Sequence, residues 1–183
     1  MSCLLGSHTD RTDGNDLAQY FEGKNEMAPS ARQPVLTLPR RIYAALARHG
    51  EERYPQECCG ILLGQGHTTE NHEAENRVLE AIPVRNACTD AAHRRYQIAP
   101  ADLIAAQKQA RQQNLEIVGF YHSHPDHPAQ WSRSDLAEAH WLGASYVITS
   151  VEQGVARATN SFRLSGEHEE EKHFVEERLV LEE

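Results

Sequence analysis

Residues 115–125, LEIVGFYHSHP, are the stretch of sequence that determines the fold class. The apolar run around Val118 and Phe120 is typical of a buried strand, and it leads directly into His122 and His124. Side chains at positions i and i+2 of a strand point to the same side. The two imidazoles are therefore expected to face one point at the carboxyl end of this strand.

A second short segment, SRSD at residues 132–135, follows Pro125 after six intervening residues. Asp135 falls in the first turn of a predicted helix, which can fold back over the end of the strand. Two imidazoles and one carboxylate are ordinary zinc ligands, and three protein ligands leave a fourth position for water. The spacing therefore predicts a hydrolytic zinc site made by His122, His124 and Asp135.

Asp126 and His127 are alternative ligands in the same loop. The direction of His127 is not fixed by the strand, because a proline separates it from His124. Metal ligation by either residue stays open at this point. Cys58 is a weak candidate nucleophile, since the sequence pairs it with no base, and Cys59 is expected to pack as a small core residue.

Apolar periodicity elsewhere predicts alternating helices and strands, and hence an α/β fold with a mixed β-sheet flanked by helices. The predicted strands cover residues 35–38, 59–64, 78–84, 115–121, 145–151 and 161–164, and the predicted helices cover residues 40–53, 100–114 and 134–142. Residues 65–67 are expected to form a turn and residues 86–95 a polar loop. Ser134 is expected to cap the last helix.

The length of 183 residues suits one domain with appendages. Residues 1–33 are polar and are expected to be a flexible leader, and residues 34–166 form the predicted domain. Residues 167–183 hold eight glutamates against Lys172 and Arg178. This segment is predicted to be a solvated acidic tail, with a docking surface for a basic partner as the alternative.

Composition excludes several classes of function. The formal net charge of -9 argues against nucleic-acid binding. No apolar run approaches the ~20 residues of a membrane-spanning helix, and we expect no secretory signal. The four cysteines form no CxxC pair, which favours free thiols in a cytoplasmic protein.

The sequence around Glu57 completes a larger pattern, because PQECCGILLG at residues 55–64 leads into a predicted buried strand. At this point the chain resembles the JAMM/MPN+ (Jab1/MPN) zinc metalloproteases of the short, stand-alone bacterial type. Their pattern is an upstream Glu, then His-(Ser/Thr)-His-Pro, six residues, Ser, two residues and Asp. Glu57, HSHP at residues 122–125, Ser132 and Asp135 match every position.

The resemblance covers about residues 35–164 and implies a single MPN domain with a cytidine-deaminase-like fold. Many relatives have proline before the motif serine, where this chain has Trp131, so the loop is expected to differ in shape there and Trp131 is a candidate for substrate contact. Ser123 lies between two ligands and is expected to face the other side of the strand, in a packing or supporting role.

The resemblance also implies a role for each residue of the motif. His122, His124 and Asp135 would hold one Zn²⁺ per chain. Glu57 would take a proton from the attacking water and later give it to the leaving amine. Ser132 would donate a hydrogen bond to the developing oxyanion.

The implied reaction is hydrolysis of the amide bond after the C-terminal glycine of a ubiquitin-like or sulfur-carrier protein with a Gly-Gly tail. Tail trimming or adduct release is the first expectation, because the chain lacks long insertions near the motif. Deconjugation of a ubiquitin-like modifier, as in a bacterial deubiquitinase, is the alternative. A non-catalytic MPN scaffold is the alternative of another class, and the intact motif argues against it.

Two further questions concern related folds and assembly. A zinc deaminase needs a Pro-Cys-x-x-Cys ligand pair, which this sequence lacks. A homodimer is left open.

Overall fold

A seven-stranded sheet closes into a barrel with strand order β1-β3-β2-β4-β5-β6-β7 in the computed structural model, which describes residues 33–68 and 74–183. The strands are β1 (Val35–Pro39), β2 (Cys59–Thr68), β3 (Ala74–Val84), β4 (Glu116–Pro125), β5 (Ser145–Glu152), β6 (Val155–Ser165) and β7 (His173–Glu182). The helices are α1 (Arg40–Arg53), α2 (Pro100–Gln112) and α3 (Arg133–Glu138), and a single 3₁₀ turn covers Glu169–Glu171. The mixed α/β class is confirmed. The predicted leader lies, apart from Gln33, outside the described residues.

β4 is the strand that positions the two histidines. It pairs antiparallel with β2 on one side and parallel with β5 on the other, so that His122 lies opposite Cys59 and Ile148. A strand between two neighbours is covered on both edges, and helices cover its faces. The side chain of His122 is consequently almost fully buried, with 1% of the residue exposed.

The two helices α1 and α2 pack against different hydrophobic clusters. α1 contributes Ile42 and Leu46, at helical spacing, to a cluster that includes Leu36 and Leu38 of β1. α2 contributes Ala106 and Ala110 to a second cluster with Phe120 and Tyr146. The sheet is therefore flanked by helices, as its sequence pattern predicts. None of the described helices is long and apolar enough to cross a membrane.

β2 continues through the turn that we predicted at residues 65–67, and that prediction is wrong. Gln65, Gly66 and His67 pair with residues 77, 76 and 75 of β3. These residues are exposed, so no apolar run shows that the strand continues. Gly64 is required just before them, because an added Cβ would lie 1.9 Å from the carbonyl oxygen of Arg77.

The prediction that residues 167–183 form a solvated acidic tail is also wrong over most of this segment, because His173–Glu182 form β7. β7 pairs with β1 and with β6, and so closes the barrel. Leu179 and Leu181 pack against the α1 cluster, and Glu177 points inward with them at strand spacing. The sequence does not show a clear alternation of apolar and polar residues here, because one of the inward positions is itself a glutamate.

Candidate metal centre

His122, His124 and Asp135 converge on one point at the end of β4. The Nε2 atoms of the two histidines lie 3.0 Å apart. Each Nε2 also lies 3.5 Å from an oxygen of Asp135. A tetrahedral ion with bonds of about 2.0–2.1 Å holds its ligand atoms about 3.3 Å apart. The donor set and its spacing therefore fit a single bound metal ion.

Successive side chains of β4 point to opposite faces of the sheet, which places His122 and His124 on one face and Ser123 on the other. Ser123 Oγ accepts a hydrogen bond of 2.9 Å from the backbone N–H of Cys58, on the face of the sheet that α1 covers. The serine thus points away from His122 and His124, as expected, and ties β4 to the start of β2.

A backbone carbonyl orients His124. Its Nδ1 lies 3.0 Å from the carbonyl oxygen of Pro128, and a carbonyl can only accept. The hydrogen of the neutral imidazole is therefore on Nδ1, which leaves the lone pair of Nε2 directed at the centre.

A reciprocal cap fixes Asp135 at the start of α3. The backbone N–H of Ser132 donates to Asp135 Oδ2 at 2.6 Å, and that of Asp135 donates to Ser132 Oγ at 3.2 Å. Ser132, rather than the predicted Ser134, is therefore the capping residue. The helix is also shorter than predicted, because it ends at Glu138.

The electrostatics of the metal-free centre favour the metal-binding forms of His122 and Asp135, but not of His124. Burial lowers the pKa of His124, and the hydrogen bond with Asp135 outweighs this effect, so that the pKa is raised overall and a metal ion would displace a proton there. Burial lowers the pKa of His122 to about 3, so its ring is neutral at working pH. Burial opposes the ionisation of Asp135, but the hydrogen bonds from His124 and from the backbone N–H of Ser132 hold the pKa of this carboxyl well below its usual range.

Glu57 lies just before β2, two residues from Cys59, which pairs with His122. It is 4% exposed, and its Oε2 has no hydrogen-bond partner among the described residues. Burial raises its pKa to about 8, with a lowering influence from His124 and a raising one from Asp135. A carboxyl group that titrates near neutral pH beside the centre suits proton transfer.

The alternative ligands lie elsewhere. Asp126 accepts hydrogen bonds from the backbone N–H of Gln153 and from the hydroxyl of Tyr54, each at 2.8 Å. His127 is exposed. Cys58 is buried, and burial raises its pKa to about 11, which removes it as a nucleophile at neutral pH.

Sequence reasoning missed Tyr96, which lies beside the segment predicted as a polar loop. Its ring stacks on His122 with centroids 4.4 Å apart and an angle of 24° between the planes. Tyr96 also lines a cleft of about 570 Å³, whose other walls include Phe120 and Trp141. No local signal in the sequence marks this contact, since a loop of irregular backbone brings the two rings together.

The chain is similar to one protein family and to several known proteins. The family described as prokaryotic homologs of the JAB domain matches residues 39–165. The desampylase of Haloferax volcanii is 30% identical over 124 residues, which make up 68% of this chain and 78% of that protein. The CysO-cysteine peptidase of Mycobacterium tuberculosis is 26% identical over 130 residues, or 71% of this chain and 83% of that protein. The solution structure of a protein from Salinibacter ruber is 38% identical with a TM-score of 0.58, over 81% of this chain and 92% of that one.

Proposed function

Because the chain belongs to the family of prokaryotic homologs of the JAB domain, we propose that it is a zinc metalloprotease of the JAMM type. It hydrolyses the amide bond after the C-terminal glycine of a ubiquitin-like or sulfur-carrier protein. The observation that carries the proposal is the convergence of His122, His124 and Asp135 beside the buried carboxyl group of Glu57.

The first part of the proposed mechanism is metal binding by two neutral imidazoles and one carboxylate. His124 is held for this role by Pro128, and Asp135 by the reciprocal cap with Ser132. A zinc ion held by these residues would supply a bound water with a pKa lowered toward ~7 and a Lewis acid for the scissile carbonyl.

Glu57 is the proposed general base. Its Oε2 is free to accept a proton from the attacking water, because no described group donates to it. The same carboxyl group then returns the proton to the leaving amine, so that one group serves as base and then as acid. Burial raises the pKa of Glu57 to about 8 in the metal-free chain, and the charge of a bound cation would lower it again, so that both the ionised and the protonated form would be accessible near neutral pH.

Ser132 is the proposed oxyanion donor. Its Oγ already accepts from the backbone N–H of Asp135, so the hydroxyl hydrogen remains available for donation. Ser134 Oγ lies 2.9 Å away and can take this hydrogen or give its own. A small rotation about the Cβ–Oγ bond redirects the hydrogen of Ser132 toward a substrate oxygen.

The depth of the centre supports a glycine tail as the substrate. The side chains of His122, His124 and Asp135 are only 1%, 10% and 11% exposed. A chain that reaches them must be slender, and glycine residues are the narrowest. We place the neighbouring residues of the substrate along the cleft that Tyr96 and Trp141 line.

The names of two relatives support two versions of the reaction. One is a CysO-cysteine peptidase, which supports the release of a small adduct from a carrier. The other is a desampylase, which supports the removal of a conjugated modifier. Adduct release or tail trimming remains our first proposal, with deconjugation as the second.

A cleavage assay with matched substrates tests the proposal. The full chain is loaded with zinc and given a ubiquitin-like carrier whose Gly-Gly tail ends in a short peptide, and separately the same carrier joined to a lysine side chain. We expect cleavage after the second glycine, inhibition by a chelator, and a loss of about 10²–10⁴-fold in rate for Glu57→Gln with zinc retained. A well-folded chain that binds no zinc and cleaves neither substrate would favour the scaffold function instead.

A further inference from the structure

The two histidine ligands of the candidate centre differ in how their rings are held. His124 is oriented through Nδ1 by the carbonyl oxygen of Pro128. The Nδ1 of His122 is buried and has no hydrogen-bond partner among the described residues. A metal-binding histidine is usually fixed in its rotation by a hydrogen bond to its second ring nitrogen. Some other contact must therefore fix the plane of His122.

The aromatic stack with Tyr96 supplies such a contact. The rings are nearly parallel, with an angle of 24° and centroids 4.4 Å apart. We infer that Tyr96 is a positioning residue for His122, which fixes the imidazole plane so that Nε2 points at the other ligands. This inference rests on the proposed function, since it takes His122 to be a metal ligand.

Asn86 holds Tyr96 in place from both sides. Its Nδ2 donates to the carbonyl oxygen of Arg95 at 2.9 Å, and its Oδ1 accepts from the backbone N–H of Gln97 at 3.0 Å. The same Oδ1 accepts from the backbone N–H of Cys88 at 2.9 Å. The residues immediately before and after Tyr96 are thus tied to one buried amide, so this part of the loop is braced although its backbone is irregular.

The same loop is also attached to the backbone of Glu57. Asn86 Nδ2 donates to the carbonyl oxygen of Glu57 at 3.2 Å, and the N–H of Glu57 donates to the carbonyl oxygen of Ala92 at 2.6 Å. One loop therefore sets the position of the proposed base and the orientation of one metal ligand together.

Trp141 offers a matched control for a general packing effect. It lines the same cleft as Tyr96, but it packs against Phe120, with centroids 5.5 Å apart and planes at 75°. Loss of Trp141 removes aromatic surface from the cleft without touching a metal ligand. Loss of Tyr96 removes comparable surface and also the stack on His122.

The experiment measures the zinc affinity of the full chain by competition with a chromophoric chelator, which needs no substrate. We expect Tyr96→Leu to weaken zinc binding by about 10–100-fold, the range for losing an outer contact of a ligand. Tyr96→Phe keeps the stack and should bind zinc like the wild type. Trp141→Leu should also bind zinc like the wild type. Absorption of the Co²⁺-loaded chain should change in Tyr96→Leu and not in Tyr96→Phe.

The outcomes separate this inference from the proposed function. A wild-type chain that binds no zinc, or binds it equally well after His122→Ala, overturns the proposed function. A wild-type chain that binds zinc through His122 but is unaffected by Tyr96→Leu overturns the positioning role. Equal losses in Tyr96→Phe or Trp141→Leu also overturn it. If Tyr96→Leu does not fold, Tyr96→Met fills similar volume without a ring and decides the question in the same assay.

Discussion

Glu177 of β7 is the group whose removal should destabilise the fold most directly. Its carboxylate is completely buried and pairs with the guanidinium of Arg163, whose Nε lies 2.7 Å away. It also accepts hydrogen bonds from the hydroxyls of Ser145 and Ser161. Arg163 in turn donates to the carbonyl oxygen of Val35, so the network joins β1, β5, β6 and β7.

The perturbation is Glu177→Leu, which leaves the guanidinium of Arg163 buried without its anion. Breaking one side of a buried ion pair costs about 3–5 kcal/mol. That is a large part of the roughly 5–15 kcal/mol by which a domain is stable. With an m-value of about 2 kcal/mol/M, the urea midpoint should fall by about 1.5–2.5 M.

The control is the exposed pair between Arg77 and Glu182, which also links β7 to a neighbouring part of the sheet. Its N–O distance of 3.0 Å is similar, but the side chains are 50% and 40% exposed. Removing Glu182 should cost no more than about 1 kcal/mol. Replacing both buried partners, by Arg163→Met with Glu177→Leu, should recover much of the single-variant loss, because no uncompensated charge remains.

Urea denaturation at saturating zinc measures these differences in four variants, namely Glu177→Leu, Arg163→Met, the double variant and Glu182→Gln. A loss below about 1 kcal/mol for Glu177→Leu, similar to the exposed control, would falsify the argument that this network closes the barrel. A double variant as unstable as the worse single variant would show instead that the strands need the polar contacts themselves.

Three further predictions concern the metal centre and β2. Asp135→Asn keeps the cap but loses the charge, so zinc affinity measured by chelator competition should fall by more than about 100-fold, whereas Asp126→Asn should leave it unchanged. In metal-stripped protein, the folded-state pKa of Glu57 is about 8 against 4.5 unfolded. Its contribution to stability is therefore fully present below pH 4.5 and is lost as the pH rises through 8. Relative to Glu57→Gln, the wild type should lose roughly 3–5 kcal/mol over this window, and parallel curves would contradict the assignment. Gly60→Ala should cost about 2–3 kcal/mol in urea denaturation, because the new Cβ would lie 2.1 Å from the ring of Tyr121, and an unchanged midpoint would refute this.

Local patterns predicted the elements that carry the candidate metal ligands. The period of two in β4 places His122 and His124 on one side, and helical spacing gives α1 its bounds at residues 40–53. Such patterns depend only on neighbours in sequence, so they can be read without the fold. The same reasoning brings Asp135 to the centre, because a short loop returns the chain to the end of the strand.

Contacts between distant segments could not be predicted in this way. Strand β7 was missed because its inward face mixes Leu179 and Leu181 with a glutamate, whose partner is 14 residues away in β6. The stack of Tyr96 on His122 depends on a loop that Asn86 braces, and its residues are polar and show no period. In both cases a polar residue that looks solvated in the sequence acquires its role from a partner on another element.

Two glutamates that are buried in the described part of the chain, Glu57 and Glu177, show how structure separates a stabilising role from a chemical one. Glu57 is 4% exposed and Glu177 is 5% exposed, so burial alone does not distinguish them. Glu177 has a guanidinium and two hydroxyl donors, whereas Oε2 of Glu57 has no donor among the described residues. A buried carboxyl group without partners costs stability, and burial raises its pKa. Glu57 thus weakens the fold at the pH at which the proposed general base must be ionised, and such a cost is typical of a group that is held ready to exchange a proton.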